Sequence, residues 1–333
     1  MNQFTMPCLD NFITIGDRAC ESAPSSSGLY LSDLSGVNLE LLTNLADGRY
    51  SGAKDYANAI LRRAALYFQD QLKQTMAALG YQIAQGFGLA KALKNCSFLT
   101  TVNAGQNGRG LVCKRLNTLP TFAVLFIENI KVKTAQSGAA TLTISDELGV
   151  VVWSKNITLQ ANIELVVPVL QEFNSEAIYI ILDGIPTALT TYATNCNALE
   201  KGCCGKAIDK QFYVVSGWDG MQTSANSYGL LFSGGVQCSF ARVACYILPY
   251  VSEAILNLCH AEILDDILAS PRINYSTLYA DTEGIPKQAE IARNRAKKSI
   301  TAQVGAMLDG LAQNSPFCIS CNRQTSPRFF SKV

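Results

Sequence analysis

The chain has 333 residues, a net charge of +1 and twelve cysteines, and 48% of its residues are hydrophobic. This length allows two or three domains with substantial cores, and this apolar content excludes a largely disordered protein. The near-zero charge excludes a global basic field for nucleic acid. Only 16% of the residues are charged, so much of the surface is uncharged and polar, which favours an oligomer whose neighbours cover it.

The sequence offers no targeting signal. Residues 1–5 have neither the basic nor the apolar region of a signal peptide. No apolar run reaches the length of a membrane span, and the run at 122–127 stops at Glu128. We therefore expect a protein made in the cytoplasm with no membrane partner. Thiols stay reduced there, which favours free cysteines or metal ligands, although disulfides can form after release into an oxidising exterior.

The first part of the chain predicts an irregular arm followed by two helices. Residues 14–36 are loop-like, Asn38 is a plausible N-cap of a short helix, and Ser51 a plausible N-cap of a longer one that ends near Gly80. Along the longer helix, apolar residues recur every three or four positions: Ala57, Leu61, Ala64, Phe68, Leu72, Met76 and Leu79. This stripe predicts helix packing rather than ligand binding.

From about residue 119 the periodicity becomes alternating. Ala140, Leu142 and Ile144 alternate with Thr and Ser, as in a half-buried strand. Other strands are predicted at 122–127, 130–134, 150–153, 164–169 and 178–182, with turn sequences between them. Short strands without intervening helices predict an antiparallel sandwich over 119–186, to which 212–215 and 229–232 are candidate additions.

The helical period returns after Pro249. One predicted face carries Ile255, Leu256, Cys259, Ile263 and Ile267. Pro286 suits the first turn of a last helix, with the stripe Ala292, Ala296, Ile300, Val304, Met307 and Leu311. The predicted fold class is therefore α+β: an N-terminal arm and helical region (1–118), an inserted antiparallel β-sandwich (119–186), a loop-rich cysteine segment (187–235), and C-terminal helices with an extended tail (236–333).

No catalytic residues are predicted. The chain lacks the phosphate-loop, serine-hydrolase and zinc-protease motifs, and its only histidine, His260, cannot face the adjacent Cys259 on a helix. The neighbouring carboxylates Asp265-Asp266 and Asp146-Glu147 point to different faces, so solvated surface is the expectation for both pairs. The glycine-rich stretch 105–110 predicts a flexible loop. We expect a protein that is not an enzyme.

The strongest indication of a metal site is a set of four cysteines: Cys238, Cys245, Cys318 and Cys321. A Cys-x2-Cys pair supplies two thiolates to a tetrahedral zinc, and a second pair completes the site. The predicted site would tie the C-terminus to the helical core. Buried thiols or a disulfide are the alternative, and a looser second cluster comprises Cys196, Cys203 and Cys204. No other cofactor is expected.

The last helix and the tail suggest contacts with partners. The helix carries Lys287, Arg293, Arg295, Lys297 and Lys298, spread around its surface. Solvated surface is one interpretation, and contact with an acidic partner or passing DNA is the other. The tail at 323–333 combines Arg and Phe, which favour interfaces, and is expected to dock on a neighbouring subunit.

Several of these motifs occur together in the same order. They are Cys8-Leu9-Asp10-Asn11-Phe12-Ile13, the segment 28–37 (Gly-Leu-Tyr-Leu-Ser-Asp-Leu-Ser-Gly-Val), a Ser-Gly-Ala turn at 137–139, the mid-chain cysteine cluster, the 238/245 pair and the 318/321 pair. Over most of its length the chain thus resembles a family of virion structural proteins in tailed phages and prophages of Bacteroidetes, crAss-like phages included.

The resemblance implies a connector-type helical domain in a neck or tail ring of the virion, between portal and tail. It implies a cyclic oligomer of about six to twelve copies, assembled in the host cytoplasm, whose helices line or support the DNA channel. Partners would be the portal, neighbouring ring proteins and non-specifically passing DNA. The alternative function is a carbohydrate-binding β-sandwich on a tail or cell surface, against which stand the missing signal peptide and a single exposed-looking tryptophan, Trp153. A metal-dependent enzyme is disfavoured by the lone histidine.

Overall fold

The computed structural model describes residues 6–16, 24–46, 48–83, 98–103, 108–116, 121–184, 190–194, 213–224, 228–270, 284–316 and 318–321. The chain divides into two compact units. The helical unit combines Met1–Ile83 with Phe240–Val333, and the β unit is the continuous segment Ala84–Ser239. The α+β class predicted from the sequence is confirmed: antiparallel strands interrupt a helical unit whose halves come from both ends of the chain.

The inserted unit is larger than the predicted sandwich at 119–186. Arg109–Arg115 lies before that range, and Tyr213–Trp218 and Leu230–Cys238 lie after it, yet all three are strands of the β unit. The candidate additions at 212–215 and 229–232 are thus parts of longer strands. These strands pair with partners distant in sequence, and local periodicity carries no information about such pairing.

Five helices are described in the helical unit. They are α1 (Leu39–Ala46), α2 (Ala53–Ala78), α3 (Phe240–Ile247), α4 (Ser252–Ala269) and α5 (Gly284–Asn314), with 3-10 turns at Pro7–Leu9, Leu31–Asp33 and Leu248–Val251. The helices α2, α4 and α5 pack pairwise against one another. The predicted stripes supply the core: Phe68, Ile255 and Ile300 are fully buried. Leu256 and Met307, predicted on the same stripes, are only half-buried.

The predicted helix ends are partly confirmed. Asn38 caps α1, because the backbone N–H of Leu41 donates to its Oδ1 at 2.8 Å. Gly80, with φ of +79°, follows the end of α2 as expected. Ser51 is not the cap of α2: the helix begins at Ala53 without a side-chain cap. Instead, the N–H of Ser51 donates to the Asp55 carboxylate at 3.3 Å.

The helical unit also contains two small sheets. Strand β1 (Ile13–Thr14) pairs in parallel with β2 (Leu29–Tyr30), so the region predicted as an irregular arm contains ordered pairing. Strand β3 (Tyr81–Ile83) pairs antiparallel with β15 (Ile319–Cys321). The second pairing joins the segment after α5 to the end of α2.

The β unit has three antiparallel sheets among its described residues. Their strands are β4 (Phe98–Asn103), β5 (Arg109–Arg115), β6 (Ala123–Lys133), β7 (Gly138–Asp146), β8 (Val151–Leu159), β9 (Glu164–Phe173), β10 (Ala177–Asp183), β11 (Thr190–Thr194), β12 (Tyr213–Trp218), β13 (Thr223–Ser224) and β14 (Leu230–Cys238). The sheet orders are β13-β12-β5-β10-β7-β8, β14-β6-β9 and β11-β4. The arrangement is sandwich-like, as predicted.

A bulge explains why β6 was predicted as two strands. The alternation of buried residues breaks at Glu128, and the register of β6 shifts there against both neighbours. The extra residue resets the alternation, so that Ile127 and Ile130 are both fully buried although they are three residues apart.

At the centre of the larger sheet, only glycine fits at Gly110, because a Cβ would lie 1.9 Å from the carbonyl oxygen of Ile180.

The segment Phe240–Ala269, which covers α3 and α4, is long and apolar enough to cross a membrane by length and composition, with a mean hydropathy of 1.2. From the sequence no span was predicted here. Half of its most apolar window is buried inside the protein, and α4 packs against α2 and α5. A helix buried in this way matches the core helix of a globular unit.

Candidate functional site

The cysteines predicted to bind zinc are arranged differently in the structure. Cys245 forms a disulfide with Cys8, with Cα atoms 5.7 Å apart, and Cys238 and Cys318 are disulfide-bonded as well. Zinc binds thiolates, and a sulfur in a disulfide has no thiolate charge. In this oxidation state three of the four predicted ligands therefore cannot hold zinc; the side chain of Cys321 lies outside the described side chains. Within the described ranges, no group of three His, Cys, Asp or Glu is placed to hold a metal ion.

The Cys8–Cys245 disulfide joins the two halves of the helical unit. Cys8 lies in the 3-10 turn Pro7–Leu9, Cys245 lies in α3, and 237 positions separate them. The whole β unit lies between them in sequence. No spacing rule could have predicted this pairing, because it joins a cysteine near the N-terminus to one 237 positions later.

The two N-terminal motifs that carry the phage resemblance meet in space. The strands β1 and β2 pair Ile13 with Leu29, and the Ser25 hydroxyl donates to the carbonyl oxygen of Phe12 at 2.7 Å. Phe12, Ile13 and Leu31 are buried. Residues of both motifs therefore form the packed interior of the N-terminal arm. None of those three side chains is accessible to a partner.

The two free cysteines of the described residues are unsuited to nucleophilic chemistry. Cys113 in the β unit and Cys259 in the helical unit are both buried. Burial raises the pKa of the Cys113 thiol far above its ordinary value and the pKa of Cys259 to about 12. Both thiols are therefore protonated at neutral pH, and a protonated thiol is a poor nucleophile.

His260, the neighbour of Cys259, also lacks the setting of a catalytic base. Burial lowers its pKa below the ordinary value, so the ring is neutral at pH 7. Its Nε2 atom is buried and has no hydrogen-bond partner in the described part of the protein.

A charged network connects α2 with α4. Asp266 accepts hydrogen bonds from the Tyr56 hydroxyl at 2.9 Å and from Arg63, whose Nη1 lies 3.1 Å from Oδ1. Arg63 also lies 3.3 Å from the carboxylate of Glu262. Burial, and then the negative charge of Asp266, raise the pKa of Tyr56 well above its ordinary value. The phenol therefore stays protonated and donates at all ordinary pH values.

The same network continues to α5. Arg293 bonds to Asp265 and lies 3.7 Å from Glu262. Asp265 and Asp266 thus point to different helices, as expected of adjacent residues, but they are not the freely solvated carboxylates that the sequence suggested. Arg293 likewise differs from the other basic residues of α5, which are exposed: Lys287, Arg295, Lys297 and Lys298. The network connects the three packed helices α2, α4 and α5.

The β7–β8 connection presents apolar side chains on a fixed loop, which we call the apolar turn (Asp146 to Val152). The Asp146 carboxylate Oδ1 accepts from the backbone N–H groups of Leu148 at 3.0 Å and Val150 at 2.8 Å. The backbone N–H of Asp146 also donates to the carbonyl oxygen of Val150 at 3.0 Å, and Gly149 has φ of +78°. Despite these constraints Leu148 is 82% exposed and Val150 56% exposed. The turn was predicted from its sequence; the exposure of its side chains was not.

A second exposed apolar surface lies on the helical unit. Tyr246 near the end of α3 is 45% exposed, and Tyr250 in the following 3-10 turn is 57% exposed. Their ring centroids are 6.3 Å apart, and we call this pair the tyrosine patch. Cys245, next to Tyr246, is held by the disulfide to Cys8. The patch is therefore fixed to the N-terminal arm.

Other predicted features fall outside the described residues. They are the cluster Cys196, Cys203 and Cys204, residues 105–107 of the glycine-rich stretch, and the tail at 323–333. The prediction of a flexible loop is wrong for the end of that stretch, because Arg109 and Gly110 lie in β5. Of the two tryptophans, Trp153 is half-buried rather than exposed. Trp218 packs edge-to-face on Tyr179, with ring centroids 4.9 Å apart.

Comparison with protein-family models finds no match, and neither curated proteins nor solved structures include a significant match to the chain. The resemblance to phage structural proteins therefore depends on the sequence motifs.

Proposed function

We propose that the chain is a non-enzymatic structural protein of a phage virion that forms a closed ring between portal and tail. The observation that carries the proposal is the apolar turn, where Leu148 and Val150 are exposed on a loop fixed by its own hydrogen bonds. Val151 and Val152, at the start of β8, are exposed beside them. Exposed apolar clusters mark interaction sites, and a preorganised loop loses little conformational entropy when it binds.

The helical unit supports the same proposal. Its core is fastened by a disulfide between its two halves and by the charged network across α2, α4 and α5. Neither element provides an activated nucleophile or a general base, whereas both resist deformation of the unit. A ring subunit has to keep its shape when force acts on the virion, and these covalent and ionic links between helices would help it do so. The exposed basic residues of α5 offer non-specific contact with passing DNA.

Assembly in solution tests the proposal. Purified full-length chain should form a discrete oligomer of about six to twelve copies, seen as one mass by native mass spectrometry and as rings by negative-stain electron microscopy. Measurements at increasing protein concentration, with and without reductant, separate weak assembly from none. A monomer under all of these conditions would refute the ring.

A further inference from the structure

We propose that the Cys8–Cys245 disulfide is a reversible redox latch, which holds the N-terminal arm on the helices when oxidised and releases it when reduced. The arm is described over residues 6–16 and 24–34. Its reductant is a low-molecular-weight thiol of the glutathione class. A latch of this kind acts within one copy of the chain, so it does not depend on the proposed ring.

The bond lies where a small thiol can reach it. Cys8 and Cys245 are both half-buried, and Tyr246 beside them is 45% exposed. Two other described cysteines are disulfide-bonded, but Cys238 is only 8% exposed and Cys318 is fully buried. Exchange requires access of the attacking thiolate to a sulfur, and exposed disulfides are the labile and regulatory ones. We therefore expect a thiol to reduce Cys8–Cys245 before the buried bonds.

Besides this bond, the arm contacts the helices through a small set of side chains. The turn Pro7–Leu9 packs against α2 and α3, β1 packs against α2, and β2 packs against α4. The arm also has hydrogen bonds of its own, since the N–H of Ser26 donates to the Asn11 carbonyl oxygen at 2.8 Å and the N–H of Ser32 to that of Ile15 at 2.9 Å. Its buried apolar side chains are Met6, Phe12, Ile13 and Leu31. A segment with few buried contacts opens locally unless a further link holds it.

Reduction and reoxidation balance with glutathione alone. A glutathione thiolate attacks one sulfur of the bond, the S–S bond breaks, and the other cysteine leaves as a thiolate. A second glutathione thiolate attacks the glutathione sulfur of this mixed disulfide and displaces the remaining protein thiolate. Two electrons thus pass from two glutathione molecules to the protein, whose thiolates take protons from water, and glutathione disulfide is released. Glutathione disulfide reverses both steps.

The latch makes the state of the arm depend on the compartment. A reducing compartment leaves the arm attached by its side chains alone, and an oxidising one attaches it covalently. Because thiols stay reduced in the cytoplasm and oxidise outside it, a chain made in the cytoplasm acquires the latched arm only after release.

Selective reduction tests the access step. Folded full-length protein is incubated with rising concentrations of glutathione and alkylated, and the labelled cysteines are quantified by peptide mass spectrometry. We expect Cys8 and Cys245 to be labelled at least about tenfold faster than the two buried disulfide cysteines. The buried free thiols Cys113 and Cys259 are the controls, because they stay unlabelled while the β unit and the helical unit are folded. Equal labelling rates of the four disulfide cysteines would overturn the latch.

Hydrogen exchange tests the release step. The arm peptides 6–16 and 24–34 are compared with α5 in the oxidised parent, in the selectively reduced parent and in the Cys8→Ser/Cys245→Ser variant. Reduction should accelerate exchange in the arm at least about tenfold more than in α5, and glutathione disulfide should restore the slow exchange. The double variant should exchange at the fast rate with or without glutathione. Unchanged exchange in the arm, or equal acceleration of the arm and α5, would refute its release: the second result means that the whole helical unit has lost stability.

Discussion

Removal of the Cys8–Cys245 disulfide should strongly destabilise the helical unit. In the chain-entropy description, a crosslink that closes a loop of 237 positions stabilises the folded state by about 5 kcal/mol, as an upper value. If the β unit stays folded while the helical unit unfolds, the flexible part of the loop is shorter. The estimate then falls by only about 1 kcal/mol, because the entropy depends on the logarithm of loop length.

Urea unfolding of oxidised protein measures this effect. Far-ultraviolet circular dichroism at 222 nm follows mainly the helices, so it reports on the helical unit. Cys8→Ser, Cys245→Ser and the double variant should each lower the free energy of unfolding of that unit by several kcal/mol. Because both residues act through one bond, the double variant should lose about as much as either single variant.

The comparison of single and double variants provides the control. Additive losses would mean that each cysteine acts through its own packing and not through the bond. A parent and a double variant with equal denaturation midpoints would refute the reasoning outright. Counting free thiols in denatured protein confirms which bonds are present before each measurement.

Three further predictions concern stability. Arg63→Gln breaks contacts with two carboxylates, and because the side chain is partly exposed we expect a loss of about 1–2 kcal/mol, measured by thermal unfolding; an unchanged midpoint would contradict a structural role for the network. Burial lowers the pKa of His260 in the folded state, so that as pH falls the unfolded state takes up the proton at a higher pH than the folded state does. The free energy of unfolding should therefore decrease as pH drops below about 6.5. His260→Gln should lose less stability than the parent between pH 7 and 5. Gly110→Ala should destabilise the β unit by more than about 2 kcal/mol, whereas Gly310→Ala, where nothing lies within 4 Å of a new Cβ, should not destabilise the helical unit; similar losses for both would refute the steric argument.

Features set by neighbours along the chain were predictable from the sequence. The spacing of apolar residues in α2 predicted its buried face, and Asn38 predicted the start of α1 through its own side chain. The alternation around Leu142 predicted β7 and its burial. Each of these signals depends on residues within one or two turns or within one strand.

Features set by distant residues were not predictable. The partner of Cys245 is 237 positions away, and Arg63 meets Asp266 from another part of the chain. The strand β5 lies between β12 and β10, so its place in the sheet depends on segments that follow it by many residues. The sequence also predicted the turn after Asp146. It did not predict that the apolar side chains of this turn are exposed, because exposure depends on how the sheets pack around it.

The insertion of the β unit has a consequence for synthesis. The ribosome makes α1 and α2 first and reaches α3 only after Ala84–Ser239 has been added. At about 5–20 residues per second, this interval lasts roughly ten to thirty seconds. During it, the apolar face of α2 lacks the α4 and α5 faces that cover it in the finished protein. We therefore expect the nascent chain to expose this apolar face for longer when the strands are translated slowly, which makes it a candidate for chaperone binding.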